Sequence, residues 1–402
     1  MRHRGKVPDR GVAKVTPDQV SAFRLARHHL LAPAPLRDRL RVLHDIGGAQ
    51  AQVLSSAELS LALRVRGLRR ETFEQALWKD RSMVRAWCMR RTLHLLPSAD
   101  LAVFVRGSAG RAEKEIRWAL GKGVNRKALE GLLTATLDAL EEPVTAPELV
   151  QRVARDLRLP QDTWTGGGWG NARKIPSVRL GRQLFPGGYL LHLVGARGDI
   201  CHGPPRGTES TYVRGETWVP RWRDTTRERA EEELLRIYLG TYGPADPRDF
   251  VGWSRILHRE AVSIFHRLED ELVPVESAGR KGWMVRRDLP ALLDRDVPSP
   301  SARLLPNFDV FLLGHWGRDH LARSEHLPRV YRPQGWVAPT ILENGRVAGV
   351  WSQTTRGREL RIRLEPFHRL SRSAEAALRA DAAEVARFLG LERATLTGAR
   401  SG

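Results

Sequence analysis

Three times along a chain of 402 residues, helical periodicity gives way to a pair of short strand-like runs closed by a turn. That recurrence makes the chain a tandem array of small mixed modules rather than one large domain. In the first, residues 17–120, Thr16 or Asp18 caps a helix through Val20, Phe23, Ala26 and Leu30, which Pro33 and Pro35 stop. Helices around Leu36 to His44, from Ser56, and over Glu71 to Lys79 follow, and Met83 to Leu96 then reads as two short strands. The second, residues 121–205, has helices at Asn125 to Leu140 and at Ala146 to Leu157, the latter capped by Thr145. A glycine-rich connection over Thr165 to Asn171, a basic helix over Asn171 to Leu184 and two strands within Gly188 to His202, turning at Ala196 to Gly198, are expected after it. The third, residues 225–295, has helices at Arg227 to Leu239, Asp246 to Trp253 and Leu257 to Asp270, then two strands around Gly279 to Gly282. Residues 300–402 turn to strand, with a hairpin at Asn344-Gly345, and close on a helix from Ser373 to Leu389 that Gly390 ends.

Helices followed by a two-strand hairpin are the plan of a winged helix, in which a helix enters a nucleic-acid groove and the wing grips the backbone. The expected fold class is therefore α+β: three tandem winged-helix modules behind a basic N-terminal arm (residues 1–16), with a C-terminal β-rich region and terminal helix. The charge agrees. Lys and Arg number 66 against 46 Asp and Glu, giving a net charge of +20 and a sequence pI near 11.0. Such a field calls for a polyanion, and nucleic acid is favoured over a membrane because no 18-residue apolar run exists. Cys88 and Cys201 alone supply neither a disulfide framework nor a zinc ligand set, so no metal and no cofactor is expected. The glycine run at Thr165 to Asn171 lacks the ending of a phosphate loop. The basic N-terminus has no apolar core or cleavage signature, which points to a cytoplasmic protein.

Within Gly47 to Arg66, Ser55 and Glu58 have the spacing of a capping box, placing a helix start near Ser56. Gln50 and Gln52 then lie in an extended lead-in loosened by Gly47 and Gly48, where residues two apart project to one side. Two neutral amides can converge there; the plainer reading is a pair of solvated loop residues.

The segment Arg81 to Asp100, RSMVRAWCMRRTLHLLPSAD, together with Gln50-Ala51-Gln52 and the VRG at Val65 to Gly67, resembles the AlkZ type of bacterial DNA glycosylase. The later LLP, FD and Gly-Arg-Val stretches resemble it too, and the last residue of the Gln-x-Gln motif separates this chain from the related YcaQ branch, which has Asp there. The resemblance implies a monofunctional glycosylase acting on double-stranded DNA with N7-alkylated purines, with unhooking of interstrand cross-links left open; three modules in one chain can surround DNA without a partner, so a monomer is expected. It implies that Gln50 and Gln52 are catalytic, one holding water and the other stabilising an oxocarbenium-like sugar, without deciding which. His94 stands where the family also has His, and is a candidate contact to DNA or the site, the plainer reading being a wing histidine half packed against the module. Arg90, Arg91, Arg318 and Arg332 are the candidate DNA contacts, although Gly317-Arg318 replaces the Asp-Arg pair usual in the family. Glu58 is assigned to its cap, and Asp45 stays open as a base. The rival class is a winged-helix transcriptional regulator or nucleoid protein without catalysis; the Gln pair and the lack of an evident dimerisation helix argue against it.

Overall fold

The computed structural model describes residues 11–121, 123–158, 161–162, 177–180, 183–220, 222–223, 225–294 and 301–398. Strand β1 (Ala13–Val15) leads into α1 (Pro17–Arg27). Thr16 accepts from Gln19 N and Gln19 returns the bond, a complete capping box. Helix α2 (Arg39–Asp45), the two-residue strand β2 (Ala49–Gln50) and α3 (Leu54–Ala62) follow. Contrary to the expected Ser55 cap, α3 starts at Leu54 behind Val53, without any side-chain cap bond. Ser55 is exposed, whereas Glu58 is buried 3.6 Å from Arg70. Every residue of α3 from Ser56 to Ala62 is buried, so packing on all sides sets where this helix begins and overrides the local signal.

Strands β3 (Met83–Trp87) and β4 (Leu93–Pro97) form the expected hairpin, and β2 adds to β4 in the order β2-β4-β3. The hairpin is not an exposed wing: all ten strand residues are buried. It is the element through which three of the hydrophobic cores meet. Met83 and Leu95 join a core made by α2, α3 and the C-terminal region; Val84, Ala86 and Leu96 join one centred on Phe104, Tyr238 and Trp253; Trp87 and Leu93 join that of the second module. Strand alternation sends successive side chains to opposite faces, and here both faces are covered.

After α4 (Leu101–Gly107), the second module has α5 (Arg126–Asp138), β5 (Val144–Thr145) and α6 (Ala146–Asp156), the last with a Thr145/Glu148 capping box. Two expectations fail beyond it. The proposed helix over Asn171 to Leu184 is replaced, where the residues are described, by paired strands Ser177–Leu180 and Gln183–Pro186; the glycine-rich connection at Thr165 to Asn171 lies outside the described residues. Gly188 to Ala196, expected as strand, belongs to helix α7 (Gly187–Ala196). Its apolar run, interrupted by His192, carries no period that separates strand from buried helix. The hairpin comes later, as β6 (Ile200–Arg206) and β7 (Glu209–Arg214), in a sheet ordered β6-β7-β5. Pro204 and Pro205 interrupt its register and hid it from pattern reading.

The third module follows the expected order: α8 (Arg227–Tyr242), α9 (Pro247–Ser254), α10 (His258–Arg267), β8 (Leu272–Ser277) and β9 (Arg280–Val285). Strand β1 pairs in parallel with β8, Ala13 opposite Val275. The end of the expected basic arm is therefore part of this sheet. In the C-terminal region β10 (Ala302–Leu305), β11 (Thr340–Glu343), β12 (Arg346–Arg356) and β13 (Glu359–Pro366) are antiparallel, and Asn344 and Gly345 make the turn with φ of 49° and 79°. Helix α11 (Arg372–Phe388) then crosses to an unexpected last strand, β14 (Arg393–Gly398), parallel to β13.

The first module and the C-terminal region are also joined by a buried ion pair. Arg64 Nη2 and Nη1 donate to the two Asp309 oxygens at 2.7 and 2.8 Å, and both side chains are fully buried. Ser60 Oγ adds a third bond to the same carboxylate. No helix among the described residues is long and apolar enough to cross a membrane.

Candidate active site

Gly47 and Gly48 end α2 with φ of 67° and 80°, their N–H groups bonding back to the His44 and Leu43 carbonyls. A Cβ on Gly48 would stand 2.4 Å from Leu96 Cδ2 and 3.1 Å from the Leu95 carbonyl, so only glycine lets the chain enter β2 this close to β4. Ala49 then lies opposite Leu95, and Gln50 opposite His94. Ala51 N bonds to Leu93 O at 2.7 Å, and buried Arg85 on β3 reaches across with Nε to Ala51 O at 3.0 Å. The Gln-Ala-Gln segment is thus fixed by strand pairing of Ala49 and Gln50 and by two bonds to Ala51 between the glutamines, which a solvated loop would not be.

Both amides are held at the β3–β4 turn. Gln50, 8 % exposed, accepts with Oε1 from Arg90 Nη2 at 3.1 Å and, more weakly, from Nε at 3.4 Å. Half-buried Gln52 accepts with Oε1 from Leu93 N at 3.3 Å, taking the place of a ladder carbonyl. Guanidinium and backbone N–H can only donate, so these partners fix the orientation of each amide. Each carbonyl faces its donor, and each NH₂ is turned away from that donor.

Arg90 is the centre of the network. Its Nη2 also lies 2.8 Å from His94 Nε2, and Nη1 lies 3.5 Å from the Trp253 carbonyl. His94 Nδ1 is 3.0 Å from the Thr92 carbonyl; a carbonyl only accepts, so Nδ1 carries the proton and Nε2 receives the Arg90 bond. Burial lowers the Arg90 pKa to about 10, which leaves it cationic at neutral pH. The turn that delivers it is strained: Arg90 and Arg91 have φ of 55° and 60°, a left-handed pair without glycine or asparagine.

The other sequence candidates are dispersed. Arg91 points outward, its Nε 3.0 Å from Glu115 and 3.3 Å from His192. Arg318 stacks 3.5 Å from the centre of the Tyr331 ring, and exposed Arg332 bonds the Arg329 carbonyl; these contacts stay within the C-terminal region. Arg90, expected at phosphate, is instead turned inward onto Gln50. Asp45 is bound to His29 at 2.9 Å and flanked by Arg41, and Glu58 is not a cap. Burial raises the Glu58 pKa, partly offset by Arg70. Sequence reading missed Arg85 and the Trp253 carbonyl, since only the fold brings β3 and α9 to this segment.

A family model described as "DNA glycosylase AlkZ-like" matches residues 43–388. The interstrand DNA cross-link repair glycosylase of Streptomyces sahachiroi is 30 % identical over 387 residues, covering 93 % of this chain and 97 % of that relative. The solved structure of Streptomyces sahachiroi DNA glycosylase AlkZ superposes with a TM-score of 0.78 at 28 % identity, covering 96 % of this chain and 100 % of the other. Likeness of this extent, around a braced pair of amides in a strongly basic chain, defines a DNA glycosylase. Since the family match spans most of the sequence, the chain belongs to the AlkZ-like family.

Proposed function

We propose that this glycosylase hydrolyses the N-glycosidic bond of N7-alkylated purines in double-stranded DNA, acting as a monomer, and that it takes part in interstrand cross-link repair as its Streptomyces relative's name describes. The observation that carries the reading is the fixed orientation of the Gln50 and Gln52 amides at the buried β3–β4 turn. An N7-alkylated purine is already cationic and leaves readily, so the enzyme needs little general acid. What remains is to extrude the nucleotide and to place water against a sugar that becomes cationic. A neutral amide suits this role, because its carbonyl takes a hydrogen bond from the water and adds no formal charge.

The two glutamines are not equivalent in this reading. The Arg90 cation draws electron density from the Gln50 carbonyl, so Gln50 serves as an N–H donor. Gln52, whose carbonyl among the described residues meets only a long backbone bond, keeps the better acceptor and holds the water. Arg91, Arg318 and Arg332 supply phosphate contacts at separate points along the duplex. The order helix, short strand, helix, helix, hairpin in the second module, with the strands Gln161–Asp162, Ser177–Leu180 and Gln183–Pro186 inserted before its third helix, and three helices before the hairpin in the third, support reading them as winged helices, with the first module as a third whose hairpin has been drawn inward.

The test incubates the full chain with a duplex carrying N7-methylguanine and then with alkali, which cuts at abasic sites. Strand scission with wild-type protein, and a loss on the order of 10²-fold in Gln52→Ala at DNA affinity within a few-fold, is expected. Binding without abasic product would instead make the chain a non-catalytic DNA binder.

A further inference from the structure

Away from Gln50 and Gln52, α1, the β8–β9 turn and the β11–β12 turn enclose a cavity of about 320 Å³. One stripe of α1 through Ser21 and Arg24, continued by His28 at the C-cap, forms a wall. The opposite wall carries Arg280, Lys281 and Arg346. Among the described residues, Arg280 is neutralised by both oxygens of Asp249; the other three cations form no ion pair, although the Asp249 charge also acts on Arg24 and Glu276 stands opposite Lys281 across the β8–β9 hairpin. Arg24 bonds the carbonyls of Tyr242, Gly243 and Pro244, and Arg346 that of Asp319. Two exposed carboxylates, Asp18 and Asp319, stand at the edge.

The floor is aromatic. His28 packs edge-on against Tyr242 and Phe311, with ring centres 5.0 and 5.1 Å apart, and His315 lies against Tyr242 and His320. His28 is fully buried, yet neither ring nitrogen has a hydrogen-bond partner among the described residues, and His320 Nδ1 is also buried without one. Burial and the nearby Arg64 hold His28 well below its ordinary pKa, so it presents one N–H and one bare nitrogen. Unpaired buried polar groups of this kind are costly and mark a place where a ligand would complete the bonding. Nothing in the proposed glycosylase chemistry uses them.

We propose that this cavity is a second binding site, for a nucleoside monophosphate: the base lies on the His28, Tyr242 and His315 floor, and the phosphate meets Arg24, Lys281 and Arg346. Its volume is at the lower end of small-ligand pockets, about 300–1,000 Å³, which admits one nucleotide and no duplex. Heteroatoms on a base edge satisfy the histidine nitrogens, and a phosphate dianion offsets the three cations that form no ion pair among the described residues.

Calorimetric titration of the full-length protein with dGMP, inorganic phosphate and deoxyguanosine tests this. Saturable dGMP binding, about tenfold or more tighter than either fragment, is expected. Lys281→Glu and Arg346→Glu, both at exposed positions, should each weaken dGMP about tenfold while the ligand-free melting temperature stays unchanged. His28→Leu, if it folds, should reduce the gap between dGMP and phosphate. Absence of saturable dGMP binding, unchanged affinity in the two charge-reversed variants, or phosphate binding as tightly as dGMP would each overturn the assignment.

Discussion

Replacing Arg90 by Met separates the inward reading of this residue from the phosphate contact that the sequence suggests. In the wild type Gln50 Oε1 takes a 3.1 Å bond and a 3.4 Å bond from one guanidinium, which also holds His94 at 2.8 Å. A hydrogen bond to a charged group contributes about 1.5–3 kcal/mol net; without it the amide is free to flip and to swing about its last torsion. If about 2 kcal/mol of that is felt in the transition state, excision slows about thirtyfold. Single-turnover excision of N7-methylguanine is the assay, with affinity for the same duplex measured separately by fluorescence anisotropy. The rate of the bound complex should fall while affinity changes less than about threefold, since the side chain lies inside the site. Arg90→Gly adds a second signature. It relieves a left-handed backbone at φ 55°, worth about 1 kcal/mol or more, so it should lose activity like Arg90→Met yet unfold at a higher denaturant concentration. An Arg90→Met protein that excises at the wild-type bound rate but binds DNA about tenfold more weakly would refute the reasoning.

Two further outcomes follow from groups outside the amide pair. Asp309→Ala leaves the fully buried Arg64 without its carboxylate and should cost about 3–5 kcal/mol; urea unfolding should show a lower midpoint with an unchanged slope, and Arg64→Met in the same chain should restore much of the loss. His44 is hydrogen-bonded to Asp100 at 2.8 Å, and that bond, against the opposing effect of burial, raises its pKa, with Asp100, Asp45 and Glu233 charges adding to it. The folded state thus favours the protonated ring. Its contribution is complete below the unfolded value of about 6.5 and disappears as pH rises through the higher folded value; the melting temperature should fall across that window, and His44→Gln should flatten the profile.

Local signals were sound at two helix starts. Exposed Thr16 and buried Thr145 each begin a helix with a complete capping box. Ser55 has the same spacing and no cap, because strand pairing of Gln50 and Ala51 has already fixed the path of the chain into α3. Strands β1 and β14 were not legible for a related reason. Each is short, and its partner lies far off in sequence or across a helix, Val275 for Ala13 and Glu359 for Arg393, so nothing local announces the pairing. The helix at Gly187 to Ala196 was lost to an apolar run that fits either period.

The site divides along the same line. The two glutamines could be picked out because an extended lead-in after two glycines is a property of neighbouring residues, and the structure places both at the same turn. What orients them is not local. Arg90 reaches Gln50 only because consecutive arginines adopt left-handed backbone, and no glycine or asparagine in MRR signals it. Three cores compress the hairpin that carries them, and that packing supplies what offsets the strain. A basic residue beside a wing reads as a phosphate ligand from sequence; burying the hairpin on both faces turns the same residue toward the amide, so the proposed phosphate contacts fall to arginines outside the hairpin core.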